Sequence, residues 1–142
     1  MYKNILLAID LNEPSSWEKA LPVALAQVRG GGENLHLMTV VPDFGMAIVG
    51  SFFPADYEKK ALAEADEALG AFVAANIPGE INVAHTVAHG AIYKEVLAEA
   101  ERIGADLIVM ASHRPAQSDY LLGPNAARVV RHATCSVLVV RG

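Results

Sequence analysis

Paired cysteines, long apolar runs and an excess of positive charge are all missing from this chain, and each absence removes a class of protein. A lone Cys135 cannot form an internal disulfide. With Thr134 before it and Ser136-Val137-Leu138 after it, it reads as entry into a buried strand in a reducing compartment, not as a reactive thiol. No stretch approaches the roughly 20 apolar residues of a membrane-spanning helix. The opening MYKNILLAID offers only the short run from Ile5 to Ile9 before Asp10, too little for the core of an export signal. The expectation is a soluble cytoplasmic protein. Lys and Arg number 11 against 16 Asp and Glu, a formal charge of −5 that argues against nucleic acid or anionic membrane as a general partner.

The sequence also lacks the common catalytic and phosphate-binding signatures. There is no Gly-x-Ser-x-Gly elbow, no Walker phosphate loop and no Gly-x-Gly-x-x-Gly fingerprint. The histidines at 36, 85, 89 and 132 have no spacing that gathers two of them with a carboxylate, so no metal site is expected. Ser112-His113 is the one nucleophile–base pair on offer. Adjacent residues rarely point at one another as catalysis requires, so it is a weak one.

What is present is ample material for one core. Hydrophobic residues make up 53% and charged residues 19%, which excludes disorder, and 142 residues without a linker or repeat read as a single domain, 1–142. Five apolar runs recur: Ile5 to Ile9, Leu35 to Val41, Ile81 to Val87, Leu107 to Met110 and Val137 to Val140. Continuous runs such as ILLAI and VLVV suit strands covered on both faces, whereas the third run alternates and suits an edge. Between them lie helical patterns. Ser15-Ser16-Trp17-Glu18 has capping-box spacing and predicts a helix to Arg29, kinked or delayed by Pro22. A second helix opens near Pro54, with Leu62, Ala65, Leu69, Phe72 and Val73 on one stripe. A third carries Ile92, Val96, Leu97, Ala100 and Ile103 and closes at Gly104, and a fourth runs from about Pro124 to His132.

Strands alternating with helices predict an α/β fold: a doubly wound, five-stranded parallel sheet of order 3-2-1-4-5 with helices on both faces. That order places Asp10, just past the first strand, opposite Ala111-Ser112-His113-Arg114, just past the fourth, at the switch point where such sheets bind ligands. Asp10 is suited either to ribose hydroxyls and base nitrogens or to loop amides of its own turn. Gly123-Pro124 reads as a helix entry whose free N–H groups at Asn125 and Ala126 face the crevice as an anion site. Ser112 and Asn125 add neutral donors, and Arg114 and protonated His113 add positive charge. Alternatively, Arg114 pairs with Asp119 and the glycine only caps the helix. The connection from Pro42 to Phe53 is read as sheet cover or partner surface before nucleotide lid. The apolar last strand, at a sheet edge, predicts a homodimer through Val137 to Val140.

The strand ending in Asp10, the His89-Gly90 turn and the closing VVRHATCSVLVVR resemble the universal stress protein family along the full length, and ASHRP, LLG and Asn-Ala-Ala resemble its F/G-like branch. The resemblance implies an adenine nucleotide alpha hydrolase-like fold that binds ATP or AMP, with magnesium where ATP is the ligand, and pairs its last strands about a two-fold axis. It also implies that the base lies near Val40, Val41 and Met110, residues whose other reading is strand core, with the ribose on Asp10. In the family, the loop after strand four reads Gly, two residues, Gly, nine residues, then Gly-Ser or Gly-Thr. Here Ala111 and Arg114 stand at the early glycines, eight residues separate Arg114 from Gly123, and Pro124 replaces the hydroxyl residue. The phosphate half is thereby weakened relative to the adenosine half. The expected function is a homodimeric, nucleotide-binding stress-response regulator. The alternatives are an interaction module of the same fold that binds no nucleotide, and a slow ATPase.

Overall fold

The computed structural model describes residues 2–42, 57–112 and 123–141. Five parallel strands, β1 (Asn4–Ile9), β2 (Asn34–Pro42), β3 (Val83–Gly90), β4 (Leu107–Ser112) and β5 (Ser136–Arg141), form one sheet of order β3-β2-β1-β4-β5. Four helices connect or flank them: α1 (Ala20–Arg29), α2 (Tyr57–Asn76), α3 (Ile92–Ile103) and α4 (Gly123–His132). This is the doubly wound order that the strand–helix alternation predicts. Ile5, Leu6 and Leu7 of β1 and Ile108, Val109 and Met110 of β4 are fully buried, so ILLAI lies where both faces are covered, whereas VLVV of β5 lies at the sheet edge and is only half-buried within one chain, against the expectation.

α1 and α2 cover one face, joined by an edge-to-face contact of Trp17 on Phe72 at 5.1 Å. α3 and α4 pack against each other on the other face. There Asn125 Oδ1 accepts the N–H of Tyr93, an N-terminal donor of α3, at 3.1 Å. The Arg128 guanidinium lies 5.0 Å from the centre of the Tyr93 ring. Gly104 ends α3 at φ +67°, a left-handed cap that only glycine adopts without strain.

Two local expectations are corrected. The helix predicted from Ser15 begins at Ala20, behind a 3-10 turn over Pro14–Ser16. The hydroxyl of Ser16 turns back to β1, accepting the Asp10 N–H and donating to the Asp10 carbonyl, both at 2.9 Å, so it caps no helix. Pro22 falls in the first turn of α1 and has no N–H to continue the ladder, although Leu21 N–H before it reaches the Trp17 carbonyl at 2.8 Å, and the delayed start is the outcome. The third strand is shifted to Val83–Gly90. His89 consequently belongs to the strand and not to a helix end. The helix expected near Pro54 is described from Tyr57, and the connection from Pro42 to Phe53 lies outside the described residues beyond Pro42.

Candidate functional site

The ladders of the sheet end unevenly, and this creates the site. β1 pairs with β4 from Ile5↔Leu107 to Leu7↔Val109, although β1 continues to Ile9 and β4 to Ser112. β1 pairs with β2 as far as Ile9↔Thr39, while β2 stays paired with β3 to Pro42↔Gly90. Peptide groups of Val40 and Val41 that point toward β1 therefore have no ladder partner there.

Into this opening fits a cavity of about 420 Å³, within the range of small-ligand sites. Its floor and one side are Ile9, Asp10 and Leu11 from the end of β1 with Thr39, Val40 and Val41 from β2. The facing wall is α2, which contributes Ala61, Ala65 and Ala68 at helical spacing, with Glu64 on the same side of the helix. Ile92 closes one end. The described lining thus contains two carboxylates, the polar side chains of Asn12 and Thr39 and no Lys or Arg, and the rest is apolar.

Asp10 holds its own turn with one oxygen and leaves the other open. Its Oδ1 accepts the N–H of Asn12 at 2.9 Å and fixes the turn after β1, while Oδ2 has no partner among the described residues. Thr39 is only 6% exposed and lines the cavity. The direction of that side chain follows from register. Thr39 pairs with Val87, two residues from His85 and from His89, and those two histidines reach α2 at Asp66 (3.3 Å) and Glu58 (3.0 Å). Side chains alternate along a strand, so Thr39 shares their face and points at α2.

The other predicted site residues separate into three groups. Asp10, Val40 and Val41 come together at the cavity. Met110 and Ala111 are buried inside β4, at 0% and 3% exposure, and do not line it. Ser112, half-buried, ends β4 level with Asp10 if the β1–β4 register is continued, and Gly123, Pro124 and Asn125 open α4 beyond it. His113 and Arg114 lie outside the described residues. Thr39, Glu64 and Ile92 escape the sequence reading. The spacing of Ala61, Ala65 and Ala68 was available as a signal, but in sequence it is indistinguishable from a packing stripe.

A second polar cluster lies on the opposite face of the sheet, under α3. His36 Nε2 of β2 is 2.8 Å from Glu99 Oε2 and 2.8 Å from Thr86 Oγ1 of β3. Arg102 grips the same carboxylate through two donors, Nε to Oε1 at 2.7 Å and Nη2 to Oε2. The Arg102 hydrogen bond holds Glu99 below the usual carboxylate range against the opposing effect of burial. Burial pushes His36 below the ordinary imidazole value, and Glu99 only partly offsets it. Nearby, Asn82 donates to Asn34, Asn34 to Asn4 at 2.9 Å, and Asn4 to the carbonyl of Gly104 at 3.3 Å, a chain of amides across three strands. Cys135 is half-buried, and desolvation raises its thiol above the ordinary value, which keeps it protonated and unreactive. Among the described residues no group of three or more His, Cys, Asp or Glu could hold a metal ion, and no helix is long and apolar enough to cross a membrane.

Comparison with known proteins agrees with this geometry. The model of the universal stress protein family matches residues 1–141. Universal stress protein G of Escherichia coli O157:H7 is 37% identical over 99% of this chain and 100% of its own. Among solved structures, the universal stress protein UspA from Lactobacillus plantarum superposes with a TM-score of 0.71 at 22% identity, covering 99% of this chain and 98% of that one. A universal stress protein in complex with cAMP gives a TM-score of 0.59 at 21% identity, covering 99% and 97%. A family member from Arabidopsis thaliana with AMP bound gives 0.62 at 15% identity, covering 98% and 90%. With a family model spanning nearly every residue and a relative of this identity over its whole length, the chain belongs to the universal stress protein family.

Proposed function

We propose that this protein binds an adenine nucleotide, ATP or AMP, at the carboxyl ends of β1 and β2, and acts in the cytoplasm as a homodimeric regulator of stress adaptation. The observation that carries this reading is the 420 Å³ cavity with the open Oδ2 of Asp10 on its rim. A carboxylate oxygen in that position accepts ribose hydroxyls, and the unpaired peptide groups of Val40 and Val41 match the edge of a base. The cAMP and AMP held by two structural neighbours support the same ligand class. Phosphates would extend toward Ser112, His113, Arg114 and the start of α4 at Gly123, Pro124 and Asn125, with magnesium accompanying ATP. Because the lining carries two carboxylates and no described cation, the adenosine half supplies most of the affinity, and AMP and ATP bind comparably.

The dimer reading rests on β5. It is an edge strand whose Val137, Leu138, Val139 and Val140 are all half-buried within one chain, and pairing with a second copy covers them. Calorimetric titration of nucleotide-stripped protein with AMP and ATP tests the site. Heat with wild type that is lost in Asp10→Ala supports it, and absence of heat with both ligands overturns it. Size-exclusion at micromolar concentration tests the dimer, with an elution mass near 15.1 kDa counting against it.

A further inference from the structure

We infer that the exposed face of α4 built from Arg128 and Arg131 docks an acidic polypeptide segment of a partner protein. The charges of this chain are segregated along its length. Every Asp and Glu lies at or before residue 119, whereas Arg128, Arg131 and Arg141 follow it, so a chain of net charge −5 carries a stretch from 120 to 142 with basic side chains only. In the fold that stretch contributes α4 and β5. Arg128 and Arg131 stand one helical turn apart on α4, both exposed, and neither makes an ion pair or a side-chain hydrogen bond among the described residues. Arg141 closes β5, which starts beside the end of α4, so it lies at the other end and outside this face.

Cations that serve the dipole of a helix sit in its last turn, and that accounts for Arg131 and His132. Arg128 stands a turn earlier and has a different support. Its guanidinium lies 5.0 Å from the centre of the Tyr93 ring, against which the His132 ring also tilts at 6.4 Å. Tyr93 is itself held by α4, through Asn125 Oδ1 on its N–H. Stacking on an aromatic face restrains a long side chain but uses none of its N–H donors, so Arg128 is presented with its hydrogen-bonding edge open. Ordering before contact removes part of the entropy cost of association, and Tyr and Arg are enriched among the residues that carry binding energy in protein interfaces. His132 shares a cavity of about 270 Å³ with Glu101 of α3, so the charge of the face comes from the two arginines. Carboxylates three or four positions apart on a partner helix have the same spacing as Arg128 and Arg131, and each matches a guanidinium fork. A long polyanion such as nucleic acid would run past α4 toward a body that holds every Asp and Glu of the chain, which a short acidic segment does not.

The test is fluorescence anisotropy of a labelled oligoglutamate peptide with the whole chain, wild type and variants, at about 30 mM and about 300 mM salt, where screening lengths differ about threefold. Wild type is expected to bind at low salt and about tenfold more weakly at high salt. Arg128→Gln and Arg131→Gln are each expected to weaken the peptide about fivefold at low salt. Lys19→Gln removes the same charge from an exposed position just before α1 and is expected to match wild type. Arg128→Lys keeps the charge without the planar fork and is expected to fall between wild type and Arg128→Gln. Thermal unfolding of each variant checks that it is folded. If wild type does not bind the peptide at low salt, or if both glutamine variants bind as Lys19→Gln does, the proposal is overturned. If an oligothymidylate binds wild type more tightly than the peptide and depends on the same arginines, the face reads phosphates, and the assignment to a polypeptide is overturned. If wild type assembles beyond a dimer at low salt and Arg131→Gln prevents it, the occupant is a second copy of this chain, and the assignment to another protein is overturned.

Discussion

The two faces of β2 use their polar residues in opposite ways. His36, toward the start of the strand, faces α3 and is fully engaged, with Glu99, Thr86 and Arg102 holding one another within hydrogen-bond distance. Thr39, three residues on, faces α2 and lines the cavity. The Glu99 cluster is largely removed from water, where an unsatisfied polar group is destabilising, whereas Thr39 borders the cavity. A closed network of this kind stabilises and specifies packing. An open acceptor set at the ends of the strands, left by ladders that stop early, is available to a ligand. The comparison teaches where stability and binding are located in this fold, and substitutions on the two faces should separate them.

The largest effect is expected at the closed cluster. Glu99→Ala removes the common acceptor of three donors and should cost about 2–3 kcal/mol in urea unfolding, less than a fully buried pair because Arg102 is exposed. Its affinity for AMP should be that of wild type. A change at this cluster that abolished binding without loss of stability would break the comparison.

Acidification acts on the same cluster with a smaller effect. Burial lowers the folded pKa of His36 below its ordinary 6.5, so below that pH the unfolded chain takes up a proton that the folded chain resists. Stability is therefore present above pH 6.5 and falls as pH drops through it. Glu99, also lowered in the folded state, adds a loss in the same direction below its ordinary 4.5. Urea midpoints between pH 7.5 and 5.0 should fall for wild type and fall less steeply for His36→Gln, which keeps a donor for Glu99 but does not titrate. A midpoint that rises on acidification would reverse the sign derived from burial.

The closed cluster was illegible in the sequence, and the reason is distance along the chain. Glu99 and Arg102 are one helical turn apart, but nothing in their spacing says that this carboxylate, and not Glu95 or Glu101, lies beneath α3 against a histidine 63 positions earlier. Strand order, by contrast, was legible, because apolar runs alternate with helical patterns and ILLAI has no polar face, although the equally apolar VLVV lies half-buried at the edge. The position of Asp10 followed from that order. Thr39 did not, since a threonine inside an apolar run reads as ordinary strand material until the register shows which helix it faces. The start of α1 was misjudged because Pro14–Ser16 form a 3-10 turn and Pro22 has no N–H for the ladder, so the regular helix begins only at Ala20.

Between the two faces stands Asn125, whose Oδ1 ties the start of α4 to the first turn of α3. Asn125→Ala removes an acceptor from a helix N-terminus and should cost about 1 kcal/mol, whereas Asn125→Asp keeps the acceptor and should cost less. Adenosine affinity should change little in either variant, because Asn125 does not line the cavity. A large drop for adenosine in Asn125→Ala with stability intact would move Asn125 from the clamp into the site.

The smallest expected stability change is the most informative about the open side. Asp10→Asn keeps an Oδ1 acceptor for the N–H of Asn12, and so keeps the turn after β1, but replaces the free oxygen by an amide that donates. Its unfolding free energy should stay within about 0.5 kcal/mol of wild type, in the range of a substitution that breaks no contact. Its affinity for AMP should nevertheless fall about tenfold, since a charged acceptor for hydroxyl donors is gone. Asp10→Ala loses both oxygens and should combine that affinity loss with about 1 kcal/mol of destabilisation. The difference between the two variants therefore measures Oδ1 as a turn residue and Oδ2 as a ligand residue. Were Asp10→Asn to lose as much stability as Glu99→Ala while binding normally, Asp10 would belong with the closed cluster, and the open face would have no charged acceptor left but Glu64.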